Sequence, residues 1–85
     1  PLQDGGHRTL ASVEGGKAVV VETGVPEGFQ PTQVKDLPRI EDTLIVAIMR
    51  GEKTIVPHGD HTVEPDDRLL LFATDAARDS LDKLL

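Results

Sequence analysis

The stretch Pro57-His58-Gly59-Asp60-His61 places two imidazoles and a carboxylate within five consecutive positions. Residues of these types can hold a divalent metal, move a proton, donate to a phosphate or complete a polar turn. A zinc site takes at least three protein ligands. The chain has three histidines, so His7 is the one imidazole left, and it has no cysteine. No His-x-x-x-His spacing on a helix is present to fix two ligands on one face. No metal site is therefore expected. As a turn, the stretch has Gly59 taking the bend and Asp60 accepting from nearby backbone N–H groups.

Enzymatic chemistry finds no assembled site either. Asp66-Asp67 lies within one turn, and Asp79 and Asp82 fall on one side of a helical segment. Neither is the facing carboxylate pair that acid–base hydrolysis requires. Ser12 and Ser80 lack a Gly-x-Ser-x-Gly elbow, and no phosphate loop or Gly-x-Gly-x-x-Gly fingerprint occurs. The chain is read as non-enzymatic.

The elements around these residues follow from pattern. An 85-residue chain is at most one domain, and such a domain buries only about 60 % of its unfolded surface. With two phenylalanines and no tryptophan or tyrosine, the core must be aliphatic, and self-association is a ready way to bury more of it. The formal charge of −6 argues against nucleic-acid binding and against adhesion to an anionic membrane. The apolar runs are far shorter than the ~20 residues of a membrane span. No leader is recognised and the first residue is proline, so the chain reads as a piece of a longer protein.

Residues 1–17, with two Gly-Gly pairs, read as a linker or the end of a preceding segment, with a short helical turn around Arg8 to Val13. Ala18 to Thr23 has three consecutive valines and predicts a strand. Pro31 to Leu37 predicts a short helix bounded by Pro38. Leu44 to Met49 is an unbroken apolar strand that should be covered on both faces. Strict alternation puts Leu44, Val46 and Ile48 on one side and Ile45, Ala47 and Met49 on the other. Arg50 to Lys53 predicts a tight hairpin to Thr54-Ile55-Val56, with pairing ending at Pro57. The Glu64-Pro65-Asp66-Asp67 turn leads to the strand Arg68 to Ala73. A last helix follows, capped by Thr74 or Asp75, with Ala77, Leu81, Leu84 and Leu85 as its apolar stripe and Asp79–Lys83 as an i,i+4 ion pair. The fold class is α+β: a small βαβββα-type domain, a sheet of about four strands with helices packed on one face.

The segment 43–85 resembles the C-terminal domain of the RCK proteins, regulators of potassium conductance, also called the TrkA-C domain. The resemblance is carried by the apolar strand ending in Arg50-Gly51, by Ile55-Val56-Pro57, by Gly59-Asp60, and by Glu64-Pro65-x-Asp67-Arg68-Leu69-Leu70 before a closing helix. The strand from Ala18 and the Val34 to Pro38 segment fit more loosely, so 18–85 is taken as the domain. The family commonly has Pro-Gly-Asp where this chain has Pro65-Asp66-Asp67. Asp66 must then be left-handed, or the turn must be type I. A Gly-Lys pair common at the family's first helix is replaced by Pro31-Thr32.

The resemblance implies a regulatory, ligand-sensing and dimerising domain of a potassium or other monovalent-cation channel, uptake system or antiporter. It would lie in the cytoplasm at the inner face of the plasma membrane, preceded by an RCK N-terminal or transmembrane transporter domain. Several members bind cyclic di-AMP in a pocket at the homodimer interface, while others respond to other nucleotides, to metal ions or to no known ligand. By this resemblance Arg50, Pro57 and His58 are the candidate ligand-binding residues, since a phosphodiester needs cationic or N–H donors. Ile45, Ala47 and Met49 are the candidate interface residues. The alternative is a structural association module with no ligand of its own.

Overall fold

The computed structural model describes residues 7–85. Its main feature is a five-stranded antiparallel sheet in the order β1-β2-β7-β4-β5. These strands are β1 (His7–Val13), β2 (Ala18–Gly24), β4 (Thr43–Arg50), β5 (Lys53–Ile55) and β7 (Arg68–Thr74). A two-stranded ribbon joins β3 (Thr32–Gln33) to β6 (Thr62–Val63). The chain closes with a 3₁₀ helix, Asp75–Lys83.

The α+β class and the one-sided helix packing hold. Val19, Val21, Leu69, Leu71 and Ala73 line one sheet face and pack with Ala77, Leu81 and Leu84 of the closing helix. Val34 and Leu37 join the same cluster. The valine run forms β2 in full register with β7, from Ala18↔Thr74 to Gly24↔Arg68. β-Branched side chains fit a pleated surface buried on one face.

Four details differ from the sequence expectation. The sheet has five strands rather than about four, because residues 7–13, expected within a connector with a helical turn, form β1 against β2. The expected helix after Pro31 is a single 3₁₀ turn, Val34–Asp36. Its first residues are taken by β3 pairing, and too few remain before Pro38 to meet the nucleation cost of an α-helix. The closing helix is 3₁₀, in which i and i+3 eclipse. Its ion pair among the described residues is accordingly Asp75–Arg78 at 3.3 Å and not Asp79–Lys83.

The fourth difference bears on the interface. β4 pairs Ile45 with Leu71 but Ala47 with Leu70, leaving Val46 as a bulge. Opposed residues in an antiparallel pair share a face, so Ile45 lies with Leu71 on the core side. Leu44, paired with Phe72, joins Ala47 and Met49 on the open side. The expected set Ile45, Ala47, Met49 is thus split by one extra residue, which reverses alternation on either side of it.

The turns obey their residues. The Gly51-Glu52 loop has Gly51 at φ 59, as the first central position of a type II′ hairpin turn demands. Asp66 is left-handed at φ 71, directly after Pro65, and Asp67 N–H donates to Glu64 O at 3.1 Å. That is a type II turn, with aspartate where glycine is easier.

Candidate functional site

β5 pairs only with Ile48 to Arg50, so the remainder of β4, from Thr43 to Ala47, has no strand of the described residues on its outer edge. Beyond Pro57, which has no N–H for the ladder, the chain turns away from β4. It is caught by the Val34–Asp36 turn: Val34 N–H donates to His61 O and Lys35 N–H to Gly59 O, both at 2.9 Å. The divergence leaves an open groove of about 1110 Å³ along the free edge of β4.

Apolar side chains line the groove, among them Leu37, Ile40, Leu44, Ile45, Phe72 and Leu84. Pro57 and His58, two of the three residues expected to contact a ligand, stand on its wall. Lys35 and Arg39 also line it, both exposed and with no ion pair among the described residues. These two cations were missed by sequence reasoning. The signal available was their position, Lys35 between the apolar Val34 and Leu37 and Arg39 directly after Pro38. The groove therefore offers an apolar bed with three basic side chains on its wall, beside the carboxylates of Glu41 and Asp42. Flat apolar ligands bearing negative charge suit such a surface.

His58 is further positioned by His61. His61 Nδ1 accepts the His58 backbone N–H at 2.7 Å, and the two rings stack with centroids 5.3 Å apart. His61 N–H returns a bond to His58 O at 3.1 Å. The segment is a polar turn as expected, but its side-chain acceptor is His61 Nδ1 and not the Asp60 carboxylate. Among the described residues no group of three or more His, Cys, Asp or Glu side chains is placed to hold a metal.

Arg50 is elsewhere. It lies on the core side of the sheet and does not line the groove. Its Nε and Nη2 donate to the two oxygens of Asp67, each at 2.8 Å, and Nη2 also donates to Thr62 O at 2.8 Å. Glu64 N–H donates to the same carboxylate at 2.9 Å. Burial pushes the Asp67 carboxyl up, but the Arg50 fork and the Glu64 N–H outweigh it and hold it below the usual carboxylate range. The hydrogen bonds to Asp67 raise the Arg50 guanidinium in turn. Arg50 thus ties the end of β4 to β6 and the Glu64–Asp67 turn through Nε and Nη2, while Nη1 has only Glu64 Oε2 near it, at 3.8 Å.

The open face of the sheet is the second candidate surface. Leu44 is 64 % exposed and Phe72, its cross-strand partner, 38 %. Ala47 is buried among neighbours and Met49 half-buried on the same side. No helix of the described residues is long and apolar enough to cross a membrane.

Residues 32–85 match the family described as the TrkA-C domain. A Trk system potassium uptake protein TrkA homolog of Archaeoglobus fulgidus is 46 % identical over 66 residues, covering 76 % of this chain and 15 % of its own length. The Trk system potassium uptake protein TrkA of Mycobacterium tuberculosis is 38 % identical over 74 residues, covering 82 % of this chain and 33 % of its own. The chain thus spans no more than a third of these relatives. A solved structure described as an RCK domain with cda superimposes at a TM-score of 0.65 and 28 % identity, over 78 % of this chain and 97 % of that one.

Proposed function

The chain belongs to the TrkA-C domain family, and from that premise we propose that it is the regulatory, ligand-sensing part of a potassium or other monovalent-cation transport system, with residues 18–85 as the family unit. The observation that carries this reading is the groove, an apolar bed with His58, Lys35 and Arg39 on its wall. The ligand class it suits is an anionic nucleotide, with cyclic di-AMP the first to test. The purine would lie against Leu44, Ile45 and Pro57, and the basic side chains would face the phosphates. Arg50 serves as the brace behind the site.

Two copies meeting through the open sheet face around Leu44, Ala47, Met49 and Phe72 would bring two grooves into one assembly. A ligand acts on such a pair by its difference in affinity between two relative orientations of the copies. That change would pass to a transporter at the inner face of the plasma membrane. The domain has no catalytic role in this reading.

Calorimetric unfolding with and without cyclic di-AMP tests it. At ~100 times its dissociation constant the ligand should add about 2.7 kcal/mol to the native state. The shift should fall when His58→Ala is combined with Lys35→Ala and Arg39→Ala. An unchanged midpoint at millimolar ligand would count against nucleotide sensing. It would favour the association module, which the exposed Leu44–Phe72 pair supports independently.

A further inference from the structure

We propose that β1 is a detachable arm, hinged at Glu14–Gly16, that leaves β2 as a free sheet edge while the rest of the domain stays folded. The inference does not depend on the ligand-sensing reading.

β1 contributes no side chain to the hydrophobic core. Its burial runs from half-buried at His7 to exposed at each residue from Arg8 to Val13. A bulge at Leu10 interrupts its pairing with β2. Its side-chain fastenings are polar. Arg8 Nη2 donates to Glu22 Oε1 at 2.7 Å, Arg78 Nη2 to Thr9 Oγ1 at 2.6 Å, and His7 Nε2 meets Asp82 Oδ1 at 2.6 Å. The His7 and Thr9 links are exposed and contribute little against water, whereas the Arg8 link reaches a buried carboxylate. Glu22 would not be stranded on release, because Arg68 Nη1 holds its other oxygen at 2.9 Å.

Two observations favour release outright. His7 Nδ1 and Thr23 Oγ1 are both buried without a hydrogen-bond partner among the described residues, and His7 is the cross-strand neighbour of Thr23. Each buried, unpaired polar atom weighs against the docked state, and water satisfies His7 Nδ1 when the arm lifts. The hinge is strained at one residue as well: Glu14 has φ 52°, a left-handed conformation costly outside glycine that an extended chain would relieve. By contrast β2 is locked to β7 over seven register pairs and supplies Val19 and Val21 to the core.

Amide hydrogen exchange of the protein, read residue by residue by NMR, tests the arm. The β1 amides should exchange at least about tenfold faster than those of β7. Within β2, amides directed at β1 should follow the fast set while those directed at β7 stay slow. Raising salt from about 0.05 to 0.5 M should widen the gap by about threefold, since it screens the Arg8–Glu22 pair. Arg8→Gln should speed the β1 amides alone by about fivefold. A cross-strand disulfide from Ala11→Cys with Val20→Cys should slow them to the β7 rate. The proposal is overturned if β1 and β7 amides exchange at one common rate, or if salt and Arg8→Gln leave the β1 amides unmoved.

Discussion

Arg50→Met removes the guanidinium and keeps most of the aliphatic stem. Its effect follows from what is left behind. The Asp67 side chain is 2 % exposed and would retain the Glu64 N–H as its donor. Removing one partner of a buried ion pair costs about 3–5 kcal/mol, because the other charge stays desolvated. The Arg50 side chain is 37 % exposed, so water can enter the vacated space, and the lower end, about 3 kcal/mol, is expected. In a domain of this size each kcal/mol moves the midpoint by roughly 4–8 °C, so Tm should fall by about 12–24 °C. Differential scanning calorimetry or far-UV circular dichroism reads this, since the chain has no tryptophan. The pH dependence has a definite sign. In the parent the depressed Asp67 carboxyl contributes stability that is fully present above the unfolded value of about 3.9, and that is lost as pH falls through its lower folded value. In Arg50→Met the uncompensated burial favours the protonated form, so the variant should approach the parent as pH drops below about 4. Asp67→Asn placed in the Arg50→Met background should recover part of the loss at neutral pH. The reasoning fails if Arg50→Met melts within about 4 °C of the parent, about 1 kcal/mol or less. If nucleotide binding also disappeared, Arg50 would be a ligand contact rather than a brace.

The β4 bulge separates two neighbours. Leu44→Asp should leave the monomer folded and weaken any self-association seen by sedimentation velocity, whereas Ile45→Asp, on the core face, should destabilise by about 2–4 kcal/mol. Equal effects of the two would contradict the assigned faces. At the left-handed Asp66, glycine removes a Cβ penalty, so Asp66→Gly should stabilise by about 0.5–1 kcal/mol in thermal melts. A loss of stability would mean that the aspartate side chain contributes more to the turn than its backbone strain removes.

The strands β2, β4, β5 and β7, the hairpin at Gly51, the turn at Pro65 and the cap at Thr74 are legible in the sequence, because each rests on local chemistry; the short β3–β6 ribbon is not. Valines favour extended backbone, glycine and proline permit or forbid particular φ values, and a hydroxyl accepts the Ala77 N–H at 3.3 Å. The apolar stripe of the closing helix is legible for the same reason, and so is the motif order from Arg50 to Leu70 that carries the family resemblance. Tertiary structure decided the rest. The bulge at Val46 depends on how β4 meets β7 across an intervening stretch of chain, and it moved Ile45 from the expected interface into the core. Whether Arg50 faced a ligand or a carboxylate depended on the fold bringing Asp67, 17 positions away, within hydrogen-bonding reach. β1 was hidden because its stability as a strand comes from the β2 edge it borrows and not from its own residues. Lys35 and Arg39 became site candidates only when the Gly59 and His61 carbonyls drew their segment against the edge of β4. Short-range preferences are written residue by residue, while a groove, a face and an ion pair are properties of segments brought together.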